Sequence, residues 1–181
     1  MDTTLTTDRL TLRPLARDDA PVIQRECGNW NVARMTSRIP HPYPDGLAGD
    51  WIAEQGGKRA AGTAFNFGIV QGDTLIGVIG LEQREAGAFE LGYWIAERWW
   101  GQGLATEAVT RMIAFAFDEL GLDALAAGHF DDNPASGRVL AKCGFRYTGD
   151  GREWSKARDG EVSCYRFVLQ RDVSPARRDQ A

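Results

Sequence analysis

Three short segments with the character of β-strands follow one another in the middle of the chain, joined by turns. They cover residues 63–71, 74–81 and 89–95, and residues 72–73 and 84–87 connect them. Alternating or β-branched apolar residues over such lengths predict strands. Strands joined by short turns must run antiparallel, because a parallel return needs a crossover of about a dozen residues. The sequence therefore predicts an antiparallel meander.

The hydrophobic period changes directly after this meander. From Ala105 to Gly121 the apolar residues recur every three or four positions, which predicts an amphipathic helix of about four turns. The rest of the chain predicts a strand, a helix and two strands, at residues 125–130, 133–144, 145–147 and 165–169. We therefore expect an α/β (α+β) fold with a mixed, mostly antiparallel sheet of about six to seven strands and helices on both faces.

The N-terminal part is predicted to contribute one strand and two helices. The strand covers residues 9–13 and the helices cover 18–27 and 45–57, with an irregular segment at 28–44. No repeat or linker divides the sequence. We therefore predict a single domain over residues 9–171, a flexible N-terminus at 1–8 and a flexible tail at 172–181.

Composition excludes several classes of function. The chain has 181 residues, a net charge of −4 and a pI of about 5.2, so no general attraction to nucleic acid or to an anionic membrane is expected. No apolar run is long enough to span a membrane, and the start lacks the features of a signal peptide. Three cysteines and two histidines at unpaired spacings favour neither disulfides nor a metal site. We expect a cytoplasmic protein without a metal.

A glycine-rich segment lies between the third meander strand and the long helix. It reads Arg-Trp-Trp-Gly-Gln-Gly-Leu-Ala-Thr over residues 98–106. Gly101 and Gly103 let the backbone turn tightly, and the helix behind them directs free N–H groups at the same spot. Such a turn suits phosphate or pyrophosphate, although tight packing of a helix start would need the same residues. The missing Gly-Lys-Ser/Thr ending excludes a Walker A loop, and antiparallel strands before the segment argue against a Rossmann fingerprint.

Several motifs in order resemble those of the GNAT N-acetyltransferases, in particular the RimJ/RimL-like branch of ribosomal-protein N-acetyltransferases. Residues 90–95 (Glu-Leu-Gly-Tyr-Trp-Ile), the segment at 98–103 and Ala-Thr-Glu-Ala at 105–108 are similar to the acetyl-CoA motif of the family. The pattern Asn-x-x-Ser-x-x-Val-Leu-x-Lys-x-Gly-Phe at 133–145 resembles the second motif of this branch. The resemblance covers residues 7–169 and implies a sheet whose central strand pair is splayed.

The resemblance also implies where acetyl-CoA, the co-substrate, would bind. In this family the loop backbone holds the CoA pyrophosphate without a metal, and the pantetheine arm pairs with the splayed strand. Asn133 is expected to reach the pantetheine, and capping of the helix begun by Pro134 is its alternative role. The expected cofactor-binding residues are Trp94, Ile95, Ala96, Arg98, Gly101, Gln102, Gly103, Leu104, Ala105, Thr106, Asn133 and Ser136.

Catalytic candidates follow from the same resemblance. Ser136 matches the hydroxyl that RimL-like enzymes place near the departing thiolate, so it is the candidate general acid, and a local hydrogen bond in the helix is its alternative role. Glu90 lies where some other family members keep a glutamate base, and its alternative is a structural carboxylate. The base glutamate of RimL-like enzymes maps near Ser155, with Glu153 two residues earlier, which leaves the base open. His129 is interpreted as a core histidine.

The sequence thus predicts an acetyl-CoA-dependent N-acetyltransferase. A primary amine, at a protein N-terminus or on a small molecule, would attack the thioester directly in a ternary complex. The alternative is a non-catalytic sensor that binds acyl-CoA with the same fold. We expect the acceptor site within residues 34–43 and 152–161, and a monomer or homodimer as the oligomeric state.

Overall fold

The computed structural model describes residues 3–84 and 87–171. The strands are β1 (Leu5–Thr6), β2 (Thr11–Arg13), β3 (Ala64–Gln71), β4 (Thr74–Gln83), β5 (Phe89–Ile95), β6 (Ala124–Phe130), β7 (Arg146–Ser155) and β8 (Gly160–Gln170). The helices are α1 (Ala20–Cys27), α2 (Trp30–Ala33), α3 (Leu47–Ala60), α4 (Leu104–Ala114) and α5 (Pro134–Lys142). A π-helical turn at Phe115–Glu119 extends α4, so the predicted long helix is present with a change of winding in its last turn.

The described strands form one eight-stranded sheet in the order β1-β2-β3-β4-β5-β6-β8-β7. The meander of β3, β4 and β5 is antiparallel as predicted, and β5 and β6 form the parallel pair. A mixed, mostly antiparallel sheet is therefore confirmed, with one strand more than the upper expectation of seven. The last strand, β8, inserts between β6 and β7 and runs antiparallel to both.

Helices cover both faces of the sheet. Neighbouring residues on a strand point to opposite faces, and Val78 packs with α1 and α3 whereas Ile79 packs with α4 and α5. The larger core includes Phe67, Ile79, Leu81, Leu91, Leu104, Met112, Leu125 and Leu140. The smaller core consists of Ile23, Cys27, Ala48, Ile52, Val70, Leu75 and Val78. The sheet is thus buried in its centre on both sides, and the glycine-rich segment lies on the face of the larger core.

The central strands β5 and β6 separate soon after they meet. Among the described residues their pairing is limited to Phe89 with Leu125 and Glu90 with Ala126. From there β5 stays paired with β4 as far as Ile95, while β6 stays paired with β8 as far as Phe130. The splayed central pair that the family resemblance implied is therefore present, and it leaves a V-shaped opening in the middle of the sheet.

Three local predictions need correction. The prediction of a flexible N-terminus over residues 1–8 is wrong for Leu5–Thr6, which pair with β2 and bury the side chain of Leu5. The predicted irregular segment contains the short helix α2, capped by the side chain of Asn29. The final strands are longer than predicted, because β7 and β8 form a hairpin of polar, largely exposed residues. The predicted tail at 172–181 lies outside the described residues.

Candidate active site

The glycine-rich segment forms a tight turn that leads from β5 into α4. A single 3₁₀ turn at Glu97–Trp99 is followed by Gly101 and Gly103, whose φ angles are +76° and +77°. This left-handed region is readily adopted only by glycine. A Cβ atom at Gly101 would meet nothing within 4 Å, so the turn faces open space. The local sequence therefore creates an exposed turn of backbone at the start of α4, and we refer to this turn as the recess.

The start of α4 offers donors to an anion. Gly103 is its N-cap residue and has no side chain, so no side-chain oxygen caps the first N–H groups of Leu104, Ala105 and Thr106. These N–H groups and the helix dipole favour negative charge in front of them. The indole N–H of Trp99 also has no partner among the described residues, but it is buried and Trp99 packs against the larger core, so it does not add a donor at the surface of the turn. The uncapped N–H groups at the start of α4 suit a pyrophosphate group, and their contact with acetyl-CoA stays a prediction.

The recess is braced by the N-terminal segment of the chain. Arg9 donates to the carbonyl oxygen of Gln102 at 3.0 Å and to the carboxylate of Glu107 at 2.6 Å, and Thr7 donates to the same carboxylate at 2.6 Å. Burial alone would raise the pKa of Glu107, but the hydrogen bonds from Thr7 and Arg9 outweigh it and lower the pKa. Gln102 is thus held through its backbone. Sequence reasoning missed this brace because Arg9 and Glu107 are far apart in the chain.

Arg98 is engaged by a buried carboxylate rather than left free. Its guanidinium donates to Glu26 of α1 at 2.6 Å, and Glu26 also accepts from the neighbouring Arg25. Burial acts to raise the pKa of Glu26, but the hydrogen bonds from Arg98 and Arg25 prevail and lower it. Arg98 therefore ties the recess to α1. Its role in binding CoA phosphates stays a prediction.

The backbone of β5 offers part of its polar groups to the V-shaped opening. The N–H of Ala96 donates to Ile76 of β4 at 2.8 Å, so the alternate residue Trp94 faces β4 as well. Tyr93 and Ile95 then direct their backbone groups toward β6, where no strand is paired with them. The carbonyl oxygen of Ile95 accepts from the indole of Trp100 at 2.6 Å. Of the residues predicted to pair with pantetheine, Ile95 is therefore the one whose N–H faces the opening.

Asn133 and Ser136 begin α5 on the other side of the opening. The side-chain oxygen of Asn133 accepts from the backbone N–H of Ser136 at 3.2 Å, so the capping role proposed for Asn133 is confirmed. The hydroxyl of Ser136 lies 2.9 Å from the hydroxyl of Tyr93 on β5. Burial raises the pKa of Tyr93 to about 12, against the lowering effect of the Ser136 hydrogen bond. Tyr93 was quoted in the sequence motif without a role, and only the fold shows its contact with Ser136.

A cleft of about 690 Å³ opens beside the separated strands. Its walls include the predicted acceptor segment, from Met35 to Pro40 and at Tyr43, together with Gly92, Tyr93 and Trp94 of β5. It also includes Glu153 and Lys156 of the second predicted acceptor segment. The two segments touch, since the N–H of Lys156 donates to the carbonyl oxygen of Ser37 at 2.9 Å. The structure therefore brings both predicted acceptor segments to one cleft.

Three carboxylates line this cleft. Glu82 and Glu90 are cross-strand neighbours on β4 and β5, and Glu153 lies on β7. Glu90 forms an ion pair with Arg84, and the charges of Glu153 and Glu82 also act on Arg84, whose pKa is raised although burial acts to lower it. Glu82 in turn forms an ion pair with Arg38 of the acceptor segment. Sequence reasoning found Glu90 and Glu153 but missed Glu82, which belongs to no motif.

Two other sequence candidates differ in their surroundings. Ser155 is fully buried and its hydroxyl donates to the carbonyl oxygen of Thr36 at 3.4 Å, and a serine cannot act as the expected carboxylate base. His129 stacks on Phe167 and its Nδ1 lies 2.8 Å from the carbonyl oxygen of Phe130, but the residue is only partly buried and lines the cleft, so its interpretation as a core histidine stays a prediction. Within residues 3–84 and 87–171, no three His, Cys, Asp or Glu side chains are grouped as metal ligands. In the same ranges, no helix is both long and apolar enough to cross a membrane.

A splayed sheet whose central strand leads into an uncapped helix start is the arrangement that the family resemblance implied for an acyl-CoA-dependent acyltransferase. Residues 9–146 match the family model described as acetyltransferase (GNAT) domain. This match covers more than half of the chain, so the chain belongs to the GNAT acetyltransferase family. The predictions of the family and of an acyltransferase that uses acetyl-CoA are confirmed.

Three similar proteins illustrate the relationship. The uncharacterized N-acetyltransferase p20 of Bacillus licheniformis is 32% identical over 92% of this chain and 95% of its own length. The [ribosomal protein uS5]-alanine N-acetyltransferase of Escherichia coli is 31% identical over 83% and 81% of the two chains, which confirms the resemblance to ribosomal-protein N-acetyltransferases. The microcin C7 self-immunity acetyltransferase MccE, solved with acetyl-CoA and AMP, shares the fold with a TM-score of 0.80. The two chains are 16% identical, and the alignment covers 94% of MccE and 91% of this chain.

Proposed function

We propose that this protein transfers an acetyl group from acetyl-CoA to a primary amine by direct attack within a ternary complex. The observation that carries the proposal is the position of β5 between two openings. Its end leads into the anion recess at Gly101 and Gly103, and its middle residues, Gly92 to Trp94, line the cleft. One strand would thus serve both a CoA site and an acceptor site at the point where the sheet separates.

The cofactor side is supported by backbone groups of this chain. The N–H groups of Leu104, Ala105 and Thr106 would hold the pyrophosphate, and the N–H of Ile95 would bind the pantetheine arm or polarise the thioester carbonyl. Acetyl-CoA supplies an activated acetyl group and a thiol leaving group. Most of the rate enhancement would come from holding both substrates in register and from carbonyl polarisation.

The acceptor side offers carboxylates to an amine, and Arg38, Lys58, Lys156 and Arg166 line the same cleft. Glu90 lies at the last paired position of β5 before the strands separate, which brings its carboxylate to the junction of cleft and opening. We assign Glu90 the role of proton acceptor for the amine. A protein α-amine has a pKa of about 8 and needs little help near neutral pH, whereas a lysine amine at about 10.4 needs much more. An α-amine therefore suits a carboxylate base that already pairs with Arg84.

The names of similar proteins point to two classes of acceptor amine. The similar E. coli enzyme is named for the alanine of a ribosomal protein, which favours a peptide N-terminus. MccE, which shares the fold, is named for microcin C7 self-immunity and not for a ribosomal protein, so a small-molecule amine is kept as the second candidate. A thiol-release screen with acetyl-CoA tests both, with peptides that begin with alanine or serine, amino acids, polyamines and aminoglycosides as acceptors.

Matched acceptors make the screen decisive. Each peptide is paired with the same peptide carrying a blocked N-terminus, and mass spectrometry locates the added acetyl group. CoA release with a free and not with a blocked amine supports the proposal. Thermal stabilisation by acetyl-CoA without CoA release for any amine would contradict it and would favour the acyl-CoA sensor instead.

A further inference from the structure

Two hydroxyl groups meet across the V-shaped opening. The phenol of Tyr93 lies on β5, three residues beyond Glu90, where the pairing of β5 with β6 ends. Ser136 lies in the first turn of α5, the helix that follows β6. Their oxygens are 2.9 Å apart, so the contact joins the two halves of the sheet directly over the separated strands. Ile95 lies two residues farther along β5 and Asn133 caps α5, and both are among the residues predicted to contact pantetheine.

The surroundings of the pair hold both residues in place, and both are partly buried. Tyr93 packs against the larger core and is half-buried, whereas the backbone N–H of Ser136 is held by the cap of Asn133. A phenol in this setting stays protonated at neutral pH, because burial raises its pKa to about 12. It can therefore act as a donor to the serine oxygen throughout the working range of the protein.

We propose that Tyr93 is a positioning residue that orients the hydroxyl of Ser136 and replaces the proton that Ser136 gives to the departing thiolate. The proposal rests on the proposed acetyl transfer. A serine hydroxyl alone rotates freely and is a weak acid. A phenol that donates to its oxygen fixes the rotation and leaves the serine proton directed outward, and a chain of two hydrogen bonds strengthens each one.

The proton transfers balance as follows. As the amine nitrogen bonds to the acetyl carbon and the carbon–sulfur bond breaks, Ser136 donates its hydroxyl proton to the sulfur. Tyr93 donates its phenolic proton to Ser136, and the amine gives its proton to Glu90. Exchange with solvent then removes the proton from Glu90 and returns one to the phenolate. The products are the amide and the free thiol, and both hydroxyl groups end in their initial state.

The test compares Tyr93→Phe, Ser136→Ala and the double variant under saturating acetyl-CoA and amine. We expect kcat to fall about tenfold or more in each single variant, within the range of general acid catalysis. The dissociation constant of acetyl-CoA should change by less than about threefold. Because both hydroxyls act as one unit, the double variant should be no slower than Ser136→Ala alone.

A matched control removes another phenolic hydroxyl. Tyr147 donates to Asp150 at 2.6 Å on the exposed hairpin, so Tyr147→Phe makes the same chemical change outside the opening and should keep full kcat. Proton inventories in mixtures of H₂O and D₂O add a readout that simple packing would not alter. In the proton inventory, the number of protons that move in the rate-determining step should be one greater for the wild type than for Tyr93→Phe.

The outcomes separate this proposal from the proposed function. An active wild type with an unchanged kcat in a folded Tyr93→Phe variant would overturn the role of Tyr93 and leave acetyl transfer intact. Effects of the two single variants that multiply in the double variant would overturn it as well. A wild type that acetylates no amine would overturn both proposals, since no thiolate would then need a proton.

Discussion

The guanidinium of Arg98 and the carboxylate of Glu26 meet at 2.6 Å and fix helix α1 to the segment that leads into the anion recess. The side chain of Glu26 is only 7% exposed, so its charge depends on this partner and on Arg25. Isolated buried carboxylates are costly, and two guanidinium donors remove most of that cost. The contact thus makes Arg98, which the sequence predicted to bind the cofactor, a structural link between two layers of the fold.

Removal of Arg98 should destabilise the protein through Glu26. In Arg98→Ala the buried carboxylate keeps one partner fewer, and we expect the free energy of unfolding to fall by about 1–3 kcal/mol. Glu26→Gln in the same chain removes the unpaired charge, so the double variant should recover part of the loss. Urea denaturation of the wild type, the two single variants and the double variant measures the coupling.

The same variants separate stability from cofactor binding. Calorimetric titration with acetyl-CoA should show similar affinities for the wild type and the Arg98→Ala/Glu26→Gln variant if the arginine acts only through Glu26. A loss of affinity of tenfold or more in that double variant would instead assign Arg98 to the phosphates, as the sequence predicted.

A side chain at Gly103 should damage the anion recess. The φ angle of +77° disfavours any β-branched residue by about 1–2 kcal/mol, so in Gly103→Val the turn must change its backbone path. We expect acetyl-CoA affinity to fall by tenfold or more while the protein stays folded, as measured by calorimetry and circular dichroism. The N–H groups at the start of α4 would no longer converge on one point.

The matched control for this change is Gly46→Val. Gly46 is the N-cap residue of α3, and its φ angle of +82° is nearly the same as that of Gly103. The variant therefore introduces a similar strain at another helix start. An equal loss of acetyl-CoA affinity in both variants would show that the effect is general destabilisation, and it would contradict the assignment of the recess.

Glu90 is tested by removal of its charge. In Glu90→Gln the amide is nearly isosteric but cannot accept the proton of the amine, so kcat/KM for the amine should fall by about tenfold or more. The loss should be greatest at low pH, where less of the amine is already neutral. Glu119→Gln removes a similar carboxylate, paired with Arg111 at 2.9 Å, and should have no effect on kcat/KM. Parallel pH profiles of kcat/KM for Glu90→Gln and the wild type would contradict the role of Glu90 as the base. Glu82 and Glu153 would then be the remaining carboxylate candidates in the cleft.

The sequence predicted those parts of the fold that depend on local pattern. The meander β3 to β5, the amphipathic α4 and the capped start of α5 follow from hydrophobic period and from turn and cap residues. The recess was predictable as well, because Gly101 and Gly103 precede a strong helix. Each strand, helix and turn among these features is determined by residues that are close neighbours in the chain.

The remaining features depend on contacts between distant segments. Residues 149–161 are mostly polar, which is typical of a loop. They nevertheless extend β7 and begin β8, because antiparallel pairing of the two strands supplies their backbone hydrogen bonds. Arg98 and Glu26, or Tyr93 and Ser136, meet only once the sheet is assembled. No local pattern shows which arginine forms an ion pair inside the fold. The sequence could therefore assign Arg98 to the glycine-rich segment, but it could not identify Glu26 as its partner.

Acid should destabilise the protein partly through Asp19. This buried carboxylate accepts two hydrogen bonds from Arg13, at 2.7 and 2.8 Å, and one from the backbone N–H of Ala16 at 2.8 Å. Burial alone would raise its pKa, but these hydrogen bonds outweigh burial and lower the pKa below its ordinary value of 3.8. The folded state therefore binds this proton less readily than the unfolded state. Its contribution to stability is present above about pH 4 and is lost as the pH falls through the lowered pKa.

Urea denaturation at a series of pH values between 7 and 3 measures this contribution. Asp19→Asn should be less stable than the wild type at pH 7 by about 1–3 kcal/mol, and the two curves should converge as the pH falls. Asp18→Asn removes the exposed neighbouring carboxyl group, and its curve should run parallel to that of the wild type. A constant difference between Asp19→Asn and wild type down to pH 3 would show that the side chain acts by shape and hydrogen bonding alone, without the charge.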